Sequence, residues 1–89
     1  MQDINDILRT HFSSEVEMLE EEIEDIEEDI ELLQILEDLM NRSRMNSLSA
    51  HQTINNKVFK LEGKRDALKR ELELKNSKLR EFGGEKEGL

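Results

Sequence analysis

Two histidines and a dense run of carboxylates are the residues of this sequence that could carry catalysis or bind a metal. Helical di-iron sites place a Glu three residues before a His on an inward helix face, but Leu8 and Leu48 stand at that spacing before His11 and His51. The chain has no cysteine, so a thiolate metal site and a disulfide are both excluded. We therefore predict no catalytic residue, no metal site and no cofactor, and we expect that the protein is not an enzyme.

The carboxylates are concentrated in one stretch, residues 15 to 38, which holds thirteen acids and no base. Six of them form an outer row at helical spacing: Glu17, Glu21, Glu24, Glu28, Glu31 and Asp38. Such a row is usually a solvated helix face. A sharper hypothesis is that it imitates a phosphate backbone and occupies the basic groove of a nucleic-acid-binding protein.

The elements that carry these residues differ in charge. Residues 1–41 hold fifteen acids and one base, a net charge of −14, whereas residues 42–89 hold twelve bases and seven acids, a net of +5. The total of −9 argues against direct binding to nucleic acid or to an anionic membrane. An acidic half followed by a basic half indicates two elements that neutralise each other.

Composition and periodicity identify both elements as helices of a coiled-coil type. Charged residues make up 39% of the chain, hydrophobic residues 35%, and proline is absent. Apolar residues alternate in steps of four and three in each half, which is a heptad repeat. The predicted seam of the first half is Phe12, Val16, Leu19, Ile23, Ile26, Ile30, Leu33 and then Met40. That of the second half is Ile54, Val58, Leu61, Arg65, Leu68, Leu72, Lys75, Leu79 and Phe82.

A short connection between two helices makes them antiparallel neighbours. Folding the chain about Asn46 brings the two seams together, with Ile30 facing Leu61 and Phe12 facing Leu79. The same register predicts three flanking ion pairs: Glu15 with Lys78, Asp29 with Lys64, and Glu20 with Lys69. The predicted fold is an all-α antiparallel two-helix coiled-coil hairpin that assembles into a four-helix bundle or a larger helical oligomer.

Capping signals set the predicted boundaries. A capping box at Ser14 and Glu17 predicts a short amphipathic helix or arm over residues 1–13, broken at residues 10–13. A second box at Ser49 and Gln52 starts the basic helix. The prediction is an acidic helix at about 14–41, a loop at 42–49, a basic helix at about 50–82, and a flexible tail at 83–89 that begins at two glycines.

Apolar residues outside the heptad stripe gather near the predicted turn and suggest an interaction surface. They are Leu32, Ile35, Leu36, Leu39, Met45, Leu48 and Phe59. In one interpretation the first helix widens its core-facing stripe and Phe59 folds over the seam. In the others, the patch meets a second copy of the chain or a different protein.

Two cations in the second seam interrupt its apolar pattern. Arg65 and Lys75 are predicted to pair locally, Arg65 with Glu62 or Glu27, and so to fix the register of the two helices. A less favoured alternative is that both contact an anionic ligand inside a helical bundle.

The functional expectation is a non-enzymatic interaction or structural protein that self-associates, as a dimer in the first instance, and binds another protein through the apolar patch near the turn. The alternative is an acidic inhibitor, of the kind found in phages or mobile elements, that blocks a nucleic-acid-binding protein with its carboxylate row. No apolar run approaches the roughly 18 residues of a membrane span, and MQDINDILRTHF lacks the basic and apolar regions of a signal peptide. We expect a cytoplasmic protein.

Overall fold

The protein is a hairpin of two long helices in a computed structural model that describes residues 3–44 and 47–84. Helix α1 spans Ile4–Arg42 and helix α2 spans Leu48–Leu79, and a π-helical segment, Arg80–Gly84, continues α2. The described ranges contain no β-strand, and the molecule measures 64 × 20 × 19 Å. The predicted all-α, two-helix hairpin is confirmed.

The seam between α1 and α2 follows the heptad pattern. Its most buried side chains, each exposing 9% or less, are Val16, Leu19, Ile23, Ile26, Ile30 and Ile54. Every other predicted seam residue is half-buried. Within the described ranges no side chain is fully enclosed, because two helices side by side cover only a narrow stripe of each other.

The N-terminal half is one helix, and the break predicted at residues 10–13 does not occur. Asp3 has an extended backbone and precedes α1, and its carbonyl accepts hydrogen bonds from the backbone amides of Asp6 and Ile7. The Thr10 hydroxyl donates back to the Asp6 carbonyl at 2.9 Å. Without proline or glycine in this stretch, Ser and Thr lower helix propensity but do not interrupt the backbone ladder. The acidic helix therefore begins about ten residues earlier than predicted.

The connection between the helices is shorter than the predicted loop at 42–49. Ser43 caps the end of α1, and Arg44 follows with a φ of 60°, the left-handed conformation that commonly ends a helix. Ser47 is the N-cap of α2, and its hydroxyl accepts a hydrogen bond from the Ala50 amide at 3.2 Å. The predicted start at Ser49 is thus two residues late, because either serine could have served as the cap in this sequence.

The end of the basic helix lies close to the predicted position. The π-helical segment carries the chain through Phe82 to Gly84. Residues 85–89 of the predicted tail lie outside the described residues, as do Met45 and Asn46 of the turn.

Candidate functional site

Most of the apolar residues predicted to form an interaction surface are exposed. On α1, the exposed fractions are 63% for Leu32, 48% for Ile35, 46% for Leu36 and 53% for Leu39. Leu48 and Phe59 on α2 are more open still, at 75% and 77%. The interpretation in which Phe59 folds over the seam is therefore wrong. Met45 lies outside the described residues.

The heptad positions divide this surface between the two lateral sides of the hairpin. Because seven residues make two turns, Leu36 lies on the same side of α1 as Glu22 and Glu15. Those two carboxylates line one groove between the helices together with Met18 and with Glu71 of α2. We refer to this side of the hairpin as the Met18 side.

Phe59 belongs to the opposite side. It precedes Glu73 by fourteen residues and so shares its position on α2. Glu73 lines a second groove together with Glu27 of α1 and Lys69 of α2. We refer to this as the Glu27 side. The predicted patch is therefore not one continuous surface, since Leu36 and Phe59 face different directions although they stand at similar heights along the hairpin.

The six carboxylates of the outer row are all exposed on α1. Asp38 forms an ion pair with Arg42, one helical turn later, in which Nη2 of Arg42 lies 3.1 Å from Oδ2 of Asp38. From Glu17 to Asp38 the row extends roughly 31 Å along the helix. The structure thus presents these carboxylates to solvent along most of one helix.

Lys75 joins the two helices near the end of the hairpin away from the turn. Its Nζ lies 2.8 Å from Oε1 of Glu15 and 5.5 Å from the centre of the Phe12 ring. Phe12 stacks in parallel on Phe82, with ring centres 5.7 Å apart. The His11 ring packs edge-on against Phe12, and its Nε2 lies 3.4 Å from the same Glu15 oxygen. Charge, cation–π and aromatic contacts therefore meet at one place.

This contact displaces two ionisation equilibria in opposite directions. The hydrogen bond and the positive charge of Lys75, with a smaller effect of His11, outweigh desolvation and lower the pKa of Glu15. The hydrogen bond to Glu15, with its charge and that of Glu71, raises the pKa of Lys75. Each group thus favours the charged form of the other.

The remaining predicted ion pairs differ from the structure in partner. Arg65 pairs with Asp66 on its own helix at 3.2 Å, not with Glu62 or Glu27. Lys69 forms its ion pair with Glu27, at 3.3 Å, and not with the predicted partner Glu20. Helical side chains lean towards the N-terminus of their own helix, so in an antiparallel pair Lys69 leans towards the turn and reaches a carboxylate further along α1.

The other flanking assignments change as well. Glu15 meets Lys75 rather than Lys78, which lies 3.9 Å from Glu81 on its own chain segment. The aromatic stack of Phe12 on Phe82 also differs from the prediction, which places Phe12 opposite Leu79. The signal was available, since two of the three phenylalanines occupy seam positions at the same end of the hairpin.

His51 occupies a seam position near the turn and contacts Glu37. Its Nδ1 lies 3.5 Å from Oε2 of Glu37, and both side chains are partly covered. This contact joins a histidine of α2 to a carboxylate of α1 across the seam. Among residues 3–44 and 47–84, no three His, Cys, Asp or Glu side chains converge as metal ligands would.

Comparison with protein-family models, curated proteins and solved structures finds no match for this chain. In the part of the chain that the structure describes, neither helix has an apolar stretch of the length needed to cross a membrane.

Proposed function

We propose that this protein is a non-enzymatic interaction protein whose hairpin self-associates and binds another protein through the apolar residues near its turn. The observation that carries the proposal is the exposure of Leu32, Ile35, Leu36 and Leu39 over two consecutive turns of α1. Apolar side chains scattered singly on a surface need no explanation, but a cluster of this kind commonly marks an interface.

The thinness of the molecule supports self-association. The chain exposes 7007 Å², whereas a compact monomer of 10.5 kDa would expose roughly 5,400 Å². A standard interface removes roughly 800 Å² from each partner. A second copy could therefore cover a standard area and still leave an ordinary amount of surface exposed.

The oligomeric mass tests this proposal. Multi-angle light scattering at micromolar concentration should give twice 10.5 kDa for the wild type. The double change Leu36→Ser with Leu39→Ser should shift the mass towards the monomer, whereas Glu21→Gln with Glu28→Gln in the outer row should not. A wild type that remains monomeric at these concentrations contradicts the proposal.

The exposed carboxylate row favours a second candidate, the acidic inhibitor of a nucleic-acid-binding protein. All six members are solvent-accessible on one helix face. Reversing the charge at Glu21, Glu24 and Glu28 would abolish binding of an inhibitor to its basic target, but would leave an apolar contact near the turn intact. Co-purification from the native host, with wild type and this triple variant side by side, separates the two functions.

A further inference from the structure

The two lateral sides of the hairpin differ in apolar content. Ten large hydrophobic side chains are exposed in the described residues, and six of them lie on the Met18 side: Ile4, Met18, Leu32, Leu36, Leu39 and Leu74. Only Leu48 and Phe59 lie on the Glu27 side. Ile7 and Ile35 point away from the seam, between the two. The apolar surface left open by the hairpin is therefore mainly on one side.

The two sides also differ in charge, counted over residues 8–41 of α1 and 48–81 of α2. On the Glu27 side, α1 contributes six acids and α2 contributes three acids and two bases, a net of −7. On the Met18 side, α1 contributes four acids and α2 contributes four lysines and two acids, a net of −2. Two copies that met through their Glu27 sides would bring fourteen net negative charges together, which strongly disfavours that contact.

Charge on the Met18 side is also separated between the helices. The acids of its α1 half are Glu15, Glu22, Asp25 and Asp29. The bases of its α2 half are Lys57, Lys60, Lys64 and Lys78, all exposed. A surface with one acidic and one basic half complements itself when a two-fold axis places each half against the other.

We propose that a second copy of this chain docks on the Met18 side, with α1 of each hairpin against α2 of the other and both turns at the same end of the assembly. This rests on the proposed self-association and specifies its geometry. Two hairpins can meet face to face about a two-fold axis in two ways. An axis parallel to the long axis of the hairpin places α1 of one copy over α2 of the other. The alternative axis, across the hairpin, sets α1 on α1 and reverses the turns, so that acids meet acids.

The register of the hairpin supports this arrangement. Phe12 contacts Phe82, Glu15 contacts Lys75 and Glu27 contacts Lys69. These pairings between the helices put Met18 at nearly the height of Leu74. With both turns at one end, Met18 of each copy reaches Leu74 of the other. These two side chains expose 60% and 66% of their area in the single hairpin, and their contact forms an apolar layer between the charged ones.

The distance between two spin labels distinguishes the arrangements. The chain has no cysteine, so a single introduced cysteine carries the only label in each copy. Ser49→Cys lies on the exposed outer surface of α2 near the turn. We expect a label separation of roughly 20–30 Å if the turns share one end, against roughly 45–50 Å if they are reversed.

Gly63→Cys is the matched control, because it lies midway along α2 and a Cβ there meets no atom within 4 Å. Its labels should be close together in either arrangement, so a short Gly63 distance with a long Ser49 distance overturns this geometry while leaving self-association standing. Absence of any dipolar coupling at Gly63, together with a monomeric mass, overturns self-association itself.

Substitution on each side provides a second test. Met18→Gln with Leu74→Gln should weaken dimerisation by at least about tenfold in sedimentation equilibrium. The single change Phe59→Gln, on the Glu27 side, should leave the dissociation constant unchanged. Both variants alter exposed side chains outside the seam, and a circular dichroism spectrum of each should match that of the wild type. The reverse pattern, with Phe59 needed and the Met18 pair dispensable, contradicts the proposed face.

Discussion

At the scale of single residues, the most informative contact is the ion pair between Lys75 and Glu15. A lysine in an apolar seam would ordinarily be a cost, because burial disfavours its charge. Here the ammonium lies beside a carboxylate of the other helix and over the Phe12 ring, near the open end of the hairpin. The contact links α1 to α2 at one height, which supports a role for Lys75 in setting their register.

The stability conferred by this pair should depend on pH in a defined direction. Because the pKa of Glu15 is lowered from 4.5 in the folded protein, its contribution is present at neutral pH and is lost as the pH falls below about 4.5. The raised pKa of Lys75 keeps the contribution intact until strongly alkaline pH. We expect urea unfolding to show the wild type losing stability relative to Lys75→Met between about pH 7 and about pH 3.

Lys60→Met is the control for that comparison, since Lys60 is an exposed lysine on the same helix. Its stability difference from the wild type should change much less over the same range. Equal pH dependence in the two variants would show that general charge, and not the Glu15 contact, governs the effect.

At the scale of the elements, the start of α2 depends on one capping hydroxyl. The Ser47 hydroxyl accepts a hydrogen bond from the Ala50 amide, which would otherwise lack a partner within the helix. Ser47→Ala should lower the free energy of unfolding by about 1 kcal/mol in urea titrations. Ser49→Ala is the natural comparison, because the sequence alone indicated Ser49 as the cap, and it should have a much smaller effect. A larger loss for Ser49 would restore the later start of the helix.

How far the sequence predicts these elements depends on the kind of signal. The heptad spacing of Val16, Ile23 and Ile30 fixes which faces meet, because any other face would bury carboxylates. Helix ends are weaker signals, since Ser47 and Ser49, or Asp3 and Ser14, offer the same chemistry. The choice between them depends on the turn as a whole, including the left-handed Arg44.

The candidate site was predicted only in part for a different reason. Sequence spacing identifies residues outside the seam, and Leu32 and Leu36 are exposed as an interaction surface requires. Phe59 stands at a similar height along the hairpin, but its position around α2 places it on the opposite side. Ion pairs such as Lys69 with Glu27 depend on the direction in which long side chains lean along their helix. Pairing residues that stand at equal heights on the two helices does not include this direction.

At the scale of the whole molecule, a net charge of −9 opposes a thin fold with little buried surface. Most of this repulsion lies within α1, where carboxylates recur one turn apart. Raising the salt concentration from about 0.05 M to about 0.5 M screens this repulsion, so helicity measured by circular dichroism at 222 nm should increase. A fall in helicity over that range would mean that pairs between the helices outweigh repulsion within α1.

The Phe12–Phe82 stack joins the beginning of α1 to the end of α2, and this has a practical consequence. The described chain enters and leaves the hairpin at one end, and the turn lies at the other, in a molecule 64 Å long. Affinity tags, fluorescent proteins or a surface tether added at either terminus would therefore be remote from Leu36 and Leu39. A protein immobilised in this way would present its turn, at the far end of the hairpin, to binding partners in solution.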